Sequence, residues 1–178
     1  MDFPLQNPEG YRWHGSDAVQ TAVLVPQGWV IQESTHGPVN QVLAAPPEFY
    51  DRGECRAALT LNAIANVSKA YGMTASVYGA QGIAKIKATH RTLFDVEQAP
   101  DVDMRSWVVR FRSVLSSPPR IVQRYMLAHD TSDLLRWCTF EAPESDWTQT
   151  WLVGEFILAH LCMVLPVDLE PPEGTSLH

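Results

Sequence analysis

Residues 105–143 read RSWVVRFRSVLSSPPRIVQRYMLAHDTSDLLRWCTFEAP, and their reading decides the fold. Three runs rich in β-branched and aromatic residues follow one another, at 107–114, 121–127 and 134–140. Ser-Ser-Pro-Pro separates the first pair, and His-Asp-Thr-Ser-Asp separates the second. Runs of this kind, bounded by Pro, Ser and Asp, predict three consecutive strands joined by tight turns. With Thr131 at the centre of the second turn, Tyr125 is expected opposite Trp137 and Leu127 opposite Leu135. Each such cross-strand pair contributes about 0.2–1 kcal/mol. A helix from about 146 to 165 closes the unit, with Glu144, Ser145 and Asp146 placing caps and negative charge at its start. At 3.6 residues per turn, Trp147, Trp151, Leu158, Leu161 and Leu165 share one stripe, and Leu152, Phe156 and Met163 lie opposite. A helix that is apolar nearly all round is either covered on both sides or offers its second face to a partner.

Working outward, 19–25, 29–33 and 39–43 read as strands, and 46–53 as a loop or a single helical turn. The cleanest alternation is 59–67: Leu59, Leu61, Ala63, Ala65 and Val67 face one way, and Thr60, Asn62 and Asn66 the other. The segment from 74 to about 90 is expected to be helical, capped by Thr74 or Ser76. Gly79 and Gly82 weaken that helix by about 1 kcal/mol each relative to Ala, unless they permit close approach to the sheet. A short edge strand is expected at 93–96, ahead of an acidic connection at 100–103. Residues 1–18 read as an N-terminal extension with Tyr11 and Trp13 as docking points, 19–166 as a single domain, and 167–178 as a flexible Pro/Glu-rich tail.

The 46% apolar and 19% charged content of the 178 residues suits a globular chain with a real core. A net charge of −7 argues against a nucleic-acid binder that lives off phosphate contacts. Three cysteines, Cys55, Cys138 and Cys162, are an odd number without paired spacing, which favours a reducing compartment over a disulfide framework. The N-terminus lacks the basic and apolar regions of a signal peptide, and the longest apolar run is far below a membrane span. The expectation is a soluble, cytoplasmic protein.

No motif for catalysis emerges. Cys138 sits mid-strand without a His placed near it, and a reactive thiol needs a basic, exposed setting. His129, Asp130 and Asp133 cluster in one turn and Asp101 and Asp103 in another, where backbone hydrogen bonding is the commoner use of Asp. No metal-ligand spacing or glycine-rich phosphate loop is present, so neither metal nor cofactor is expected. His160 reads as a partly buried histidine of the closing helix. Arg110, Arg112, Arg124 and Arg136 fall on the three strands of the meander and are candidates for a cross-strand basic patch. The length of the 116–119 turn decides whether Arg124 shares the face of Arg110, because one residue of slip inverts it.

The order of these elements resembles the PsbP/Mog/DcrB-like superfamily, including its bacterial branch of type VI secretion effector-associated chaperones. The residues that carry the resemblance are Val25-Pro26-Gln27-Gly28-Trp29, Val109-Arg110-Phe111, Arg124-Tyr125-Met126-Leu127, the stretch Trp137-Cys138-Thr139-Phe140-Glu141-Ala142-Pro143, Asp146-Trp147 and Gly154-Glu155-Phe156-Ile157-Leu158. It implies an α+β fold, an α-β-α sandwich around a twisted, mainly antiparallel sheet with a C-terminal helix. It further implies a non-enzymatic role in binding another protein, with no catalytic residues to carry over.

The leading expectation is therefore a protein-binding module of adaptor, chaperone or immunity type. Leu152, Phe156 and Met163 would be its anchors, and Arg110, Arg112, Arg124 and Arg136 its orienting cations. The partner would be another protein or a second copy of the chain, since a two-fold dimer hides an apolar patch. The alternative is a small-ligand-binding protein or hydrolase with a pocket between sheet and helix, lined by Trp107, Tyr125 and Trp137. A cavity above about 300 Å³ with converging polar groups would favour that alternative.

Overall fold

The computed structural model describes residues 6–52 and 57–163, and the side chains of 6–49 and 57–161. Strands β1 (Tyr11–Ser16), β2 (Thr21–Pro26), β3 (Val30–His36) and β4 (Val39–Ala45) lead into a short helix α1 (Pro47–Arg52). Then come β5 (Ala58–Ala65), α2 (Val67–Tyr71), α3 (Ala75–Thr89) and β6 (Arg91–Asp101). The chain continues through β7 (Met104–Ser113), β8 (Arg120–His129), β9 (Leu134–Pro143), α4 (Trp147–Ala159) and β10 (Cys162–Met163). Seven strands form one antiparallel sheet in the order β3-β4-β5-β9-β8-β7-β6, and β1-β2-β10 form a second, small one. The expected α+β sandwich, with its mainly antiparallel sheet and C-terminal helix, is what the chain adopts.

The meander β7-β8-β9 is the middle of the large sheet, and each of its strands runs ten residues. Its register differs by one from the sequence expectation. His129 pairs with Leu134, so the loop holds four residues and centres between Thr131 and Ser132. Met126 therefore faces Trp137, Tyr125 faces Cys138, and Leu127 faces Arg136. Asp133 accommodates that loop at a φ of 49°, in the left-handed region that Asp tolerates better than most residues.

The aspartates of this turn hold two helices. The Asp130 carboxylate accepts from the Ser76 backbone N–H at 2.8 Å and from its hydroxyl at 2.6 Å, at the start of α3. Asp133 does the same for Ser68 at the start of α2, at 2.9 and 2.6 Å. Thr74 is the N-cap of α3, accepting from Val77 N–H at 3.4 Å. These bonds satisfy helix-terminal donors that have no intrahelical partner, and tie α2 and α3 to the meander across more than fifty residues of chain.

Two apolar clusters lie on opposite faces of the sheet. Beneath α3, Ile83 and Ile86 meet Trp107, Val109, Phe111 and Met126. On the other face Phe140, Cys138, Leu59 and Ile157 of α4 pack with Val23 and Val25 of β2. Each long helix is seated through a glycine. A Cβ on Gly79 would sit 2.9 Å from the Trp107 ring, and one on Gly154 would sit 2.5 Å from the Phe140 ring. Gly79 thus permits the close approach that its position suggested, whereas the nearest side-chain atom to a Cβ on Gly82 would be 4.0 Å away.

Three further elements depart from the sequence reading. Residues 11–16, read as part of an extension, form β1 and pair along their whole length with β2. The edge strand expected at 93–96 runs eleven residues as β6. The closing helix ends at Ala159 rather than Leu165, because the chain turns back at Cys162–Met163 to pair with Ala22 and Thr21. Leu165 and the expected tail at 167–178 lie outside the described residues.

Candidate functional site

Strand parity assigns every meander side chain to a face. Trp107, Val109, Phe111, Val122 and Met126 point to α3, so Val108, Arg110, Gln123, Tyr125 and Leu127 point to the α4 side. On the α3 side the helix reaches over β7, β8 and β9. On the other side α4 and the small sheet pack with β9, β5 and β4, and α4 reaches β7 through Arg110. What remains is a cleft of about 600 Å³ between α4 and β7-β8. Its walls are Val108, Tyr125 and Leu127 from the sheet and Trp151, Leu158 and Leu161 from α4 and its exit. Gln123 and Glu155 add polar groups to the lining.

Arg110 stands at one end of this cleft. Its guanidinium carbon lies 4.4 Å from the Trp151 ring centroid and 5.4 Å from that of Trp147, and its Nε donates to Gln123 Oε1 at 2.8 Å. Partial burial lowers its pKa, and the Glu155 carboxylate works in the opposite direction. Beyond the cleft the sheet face continues to β6, where Phe94 faces Arg110 and Val96 faces Val108. Phe94 is 49% and Val96 37% exposed. Val96 thus adjoins the cleft wall at Val108, and Phe94 adjoins Arg110.

The four arginines do not gather into one patch. Arg124 points to the α3 side, where its Nε donates to Thr139 at 3.1 Å and burial lowers its pKa. Arg112 shares the side of Arg110, but Nε and a terminal nitrogen hold the Glu144 carboxylate at 2.9 and 2.8 Å. That pairing raises the Arg112 pKa and lowers that of Glu144. Arg136 is buried and donates to the Gln20 carbonyl at 2.7 Å, pinning the β1–β2 turn to β9. Desolvation brings its pKa down to about 10.

Nor do the three anchors share one open face. Leu152 is 69% exposed. Phe156 is half-buried, its ring 4.6 Å from Tyr11 of β1 and 4.4 Å from His160. The second face of α4 is thus partly covered by β1. Met163 belongs to β10 rather than to the helix, and its side chain lies outside the described residues. Of the expected pocket residues only Tyr125 lines the cleft, because Trp107 and Trp137 project to the α3 side.

The other chemical candidates resolve into structural roles. Cys138 is fully buried, which pushes its thiol far up and away from thiolate character. The Asp130 and Asp133 carboxylates serve the helix starts described above. Among the described residues no group of three His, Cys, Asp or Glu is placed to hold a metal ion, and no helix is long and apolar enough to cross a membrane.

No family model matches the sequence, and no curated protein matches it. Solved structures do match. The solution structure of cyanobacterial PsbP from Synechocystis sp. PCC 6803 aligns over 89% of this chain and 95% of its own, at 10% identity and a TM-score of 0.57. The fold is PsbP/Mog-like. The crystal structure of the Saccharomyces cerevisiae Ran-binding protein Mog1p aligns over 86% of this chain and 95% of its own, at 8% identity and a TM-score of 0.50. At these identities the likeness is one of architecture, and the cleft residues have to speak for themselves.

Proposed function

We propose that this chain is a non-enzymatic protein-binding module, of adaptor or chaperone type, which receives an apolar segment of its partner in the cleft between α4 and β7-β8. The observation that carries this reading is that exposed Val96 pairs with Val108, a wall of the cleft, so apolar surface stands beside the cleft on the edge strand. A site that holds a small molecule generally encloses it, whereas this cleft has exposed apolar side chains on the neighbouring edge strand, as a protein interface does. Aromatic anchors in a pocket, here Trp151 and Tyr125, are the residue types that dominate binding energy at such interfaces. One structure of similar fold is named for binding a protein, Ran, which accords with this use of the architecture.

The test is site-specific photo-crosslinking in the host cell from position 125, with position 152 as control, followed by purification of whatever protein is captured. The expected result is a protein captured from 125 and not from 152, whose affinity in purified form falls about tenfold or more with Tyr125→Glu, as for loss of an interface anchor. Equal capture from both positions, or an unchanged affinity, would refute the reading.

A small amphipathic ligand is the second reading, favoured by the cleft volume of about 600 Å³ and by the Gln123 and Glu155 side chains in its lining. A stoichiometric extra mass in native mass spectra of protein from the host, lost in Tyr125→Glu, would support it over the first.

A further inference from the structure

The exposed edge of β6 adds a second feature to the uncovered half of the sheet. Among the described residues β6 is the last strand of the large sheet and pairs with β7 alone; it runs eleven residues, with register shifts between Thr92 and Phe94 and between Gln98 and Asp101. Its regular stretch, 94–98, presents unpaired backbone donors and acceptors on its outer edge, while Pro100 and the irregular ends limit the row to that stretch. The two faces of this edge differ in chemistry. Phe94 and Val96 point to the cleft side, as their partners Arg110 and Val108 do, and Asp95 and Glu97 point to the α3 side with Val109 and Trp107. Lys87 of α3 forms an ion pair with Asp95. Glu97 has no ion pair among the described residues.

We infer that β6 accepts an added strand, and that the strand it fits is an extended basic segment with apolar and Lys or Arg residues in alternation. This rests on the protein-binding reading above and gives the partner its chemistry. In an added strand successive side chains fall on opposite faces. One set would extend the apolar surface at Phe94 and Val96, and the other would lie beside Asp95 and Glu97. Backbone pairing supplies affinity in such strand addition, and the alternate side chains supply specificity. The acids Asp95, Glu97 and Asp101 outnumber the single base Arg91 on this strand, and the whole chain carries −7, a balance that favours a basic partner even with Lys87 paired to Asp95 and Arg105 near Glu97. A second copy is the poorer occupant. Pairing β6 with itself over its full length sets Asp95 against Glu97 twice at the centre, with only terminal Arg91–Asp101 pairs in compensation.

The test uses the full chain and three ten-residue peptides: alternating Lys-Val, alternating Glu-Val, and a Lys₅Val₅ block of the same composition as the first. Binding is followed by calorimetry and by amide protection along 91–101. The expected result is that the alternating Lys-Val peptide binds and protects β6 amides, while the other two do neither. Glu97→Lys should weaken it about fivefold, through one lost cross-strand pair and one new repulsion, while the equally charge-changing Glu9→Lys, at an exposed remote site, leaves it unchanged. Equal binding of the block peptide, or equal loss with Glu9→Lys, would reduce the effect to bulk charge and overturn the proposal. A Lys-Val peptide that shifts Trp151 fluorescence but leaves β6 unprotected would overturn strand addition while leaving the cleft reading intact. Peptide-independent protection of β6 that grows with protein concentration would assign the edge to a second copy and overturn the basic-partner proposal.

Discussion

The two faces of the large sheet are built alike and finished differently. On each, one long helix is seated through a glycine pressed against an aromatic ring, Gly79 on Trp107 and Gly154 on Phe140. α3 lies over the meander itself and buries Trp107, Val109, Phe111, Val122 and Met126. α4 is anchored two strands across from Trp107, on Phe140 of β9, and shares its face with the small sheet. That lateral offset leaves Val108 and Tyr125 half-covered and Phe94 and Val96 exposed. The lesson is that a helix can be fully committed to a core and still create a cleft, by where along the sheet its closest contact falls.

The sharpest way to break the comparison is to remove the two rings. Phe140→Ala and Trp107→Ala should each cost about 4 kcal/mol in urea unfolding. A loss under about 1 kcal/mol at either would mean that its helix is not seated there. Next come the glycines. Gly154→Ala should lower stability by about 2 kcal/mol, and Gly79→Ala by about 1, since overpacking opposes the gain in helix propensity and the shorter approach is at Gly154. A reversed order would show the α4 side to be the softer. On the uncovered half, Val96→Ala should change stability by no more than about 0.5 kcal/mol, and a larger loss would show β6 to be part of the core. The smallest effect concerns Glu144, whose carboxyl is held below the usual range by hydrogen bonds from Arg112. A depressed carboxyl contributes stability above its unfolded pKa and loses it as pH falls through the folded value. Arg112→Gln should therefore lower stability slightly at neutral pH, not in strong acid, and return the Glu144 titration measured by NMR to the ordinary carboxylate range.

The meander was legible because its three runs are long and separated by unambiguous turn residues. Thr74 was legible as one of two candidate caps, with Ser76, for the same local reason. The register was not, because a turn of five residues and one of four carry nearly the same composition, and only the pairing of His129 with Leu134 settles the count. β1 escaped notice because Arg12, His14 and Gly15 interrupt any alternation, and its strand character comes from pairing with β2. β6 was seen only at 93–96 because its residues from 93 to 101 are all exposed, which erases the two-residue period. The end of α4 was hidden by an apolar stretch that continues through Cys162–Met163, where hydrophobicity alone does not separate helix from strand. The cleft is legible in the sequence only as a pocket between sheet and helix with Tyr125 in its wall; its place on the sheet arises from the offset of α4, and Trp107 and Trp137 stand on the other face.

Hydrogen exchange of the full chain, free and with the purified protein captured from position 125, tests the central claim most directly. Added protection at 94–98 and 123–127, with the 75–89 helix unchanged, is the expected result. Protection confined to that helix, or to the outer surface of α4 around Leu152, would contradict it.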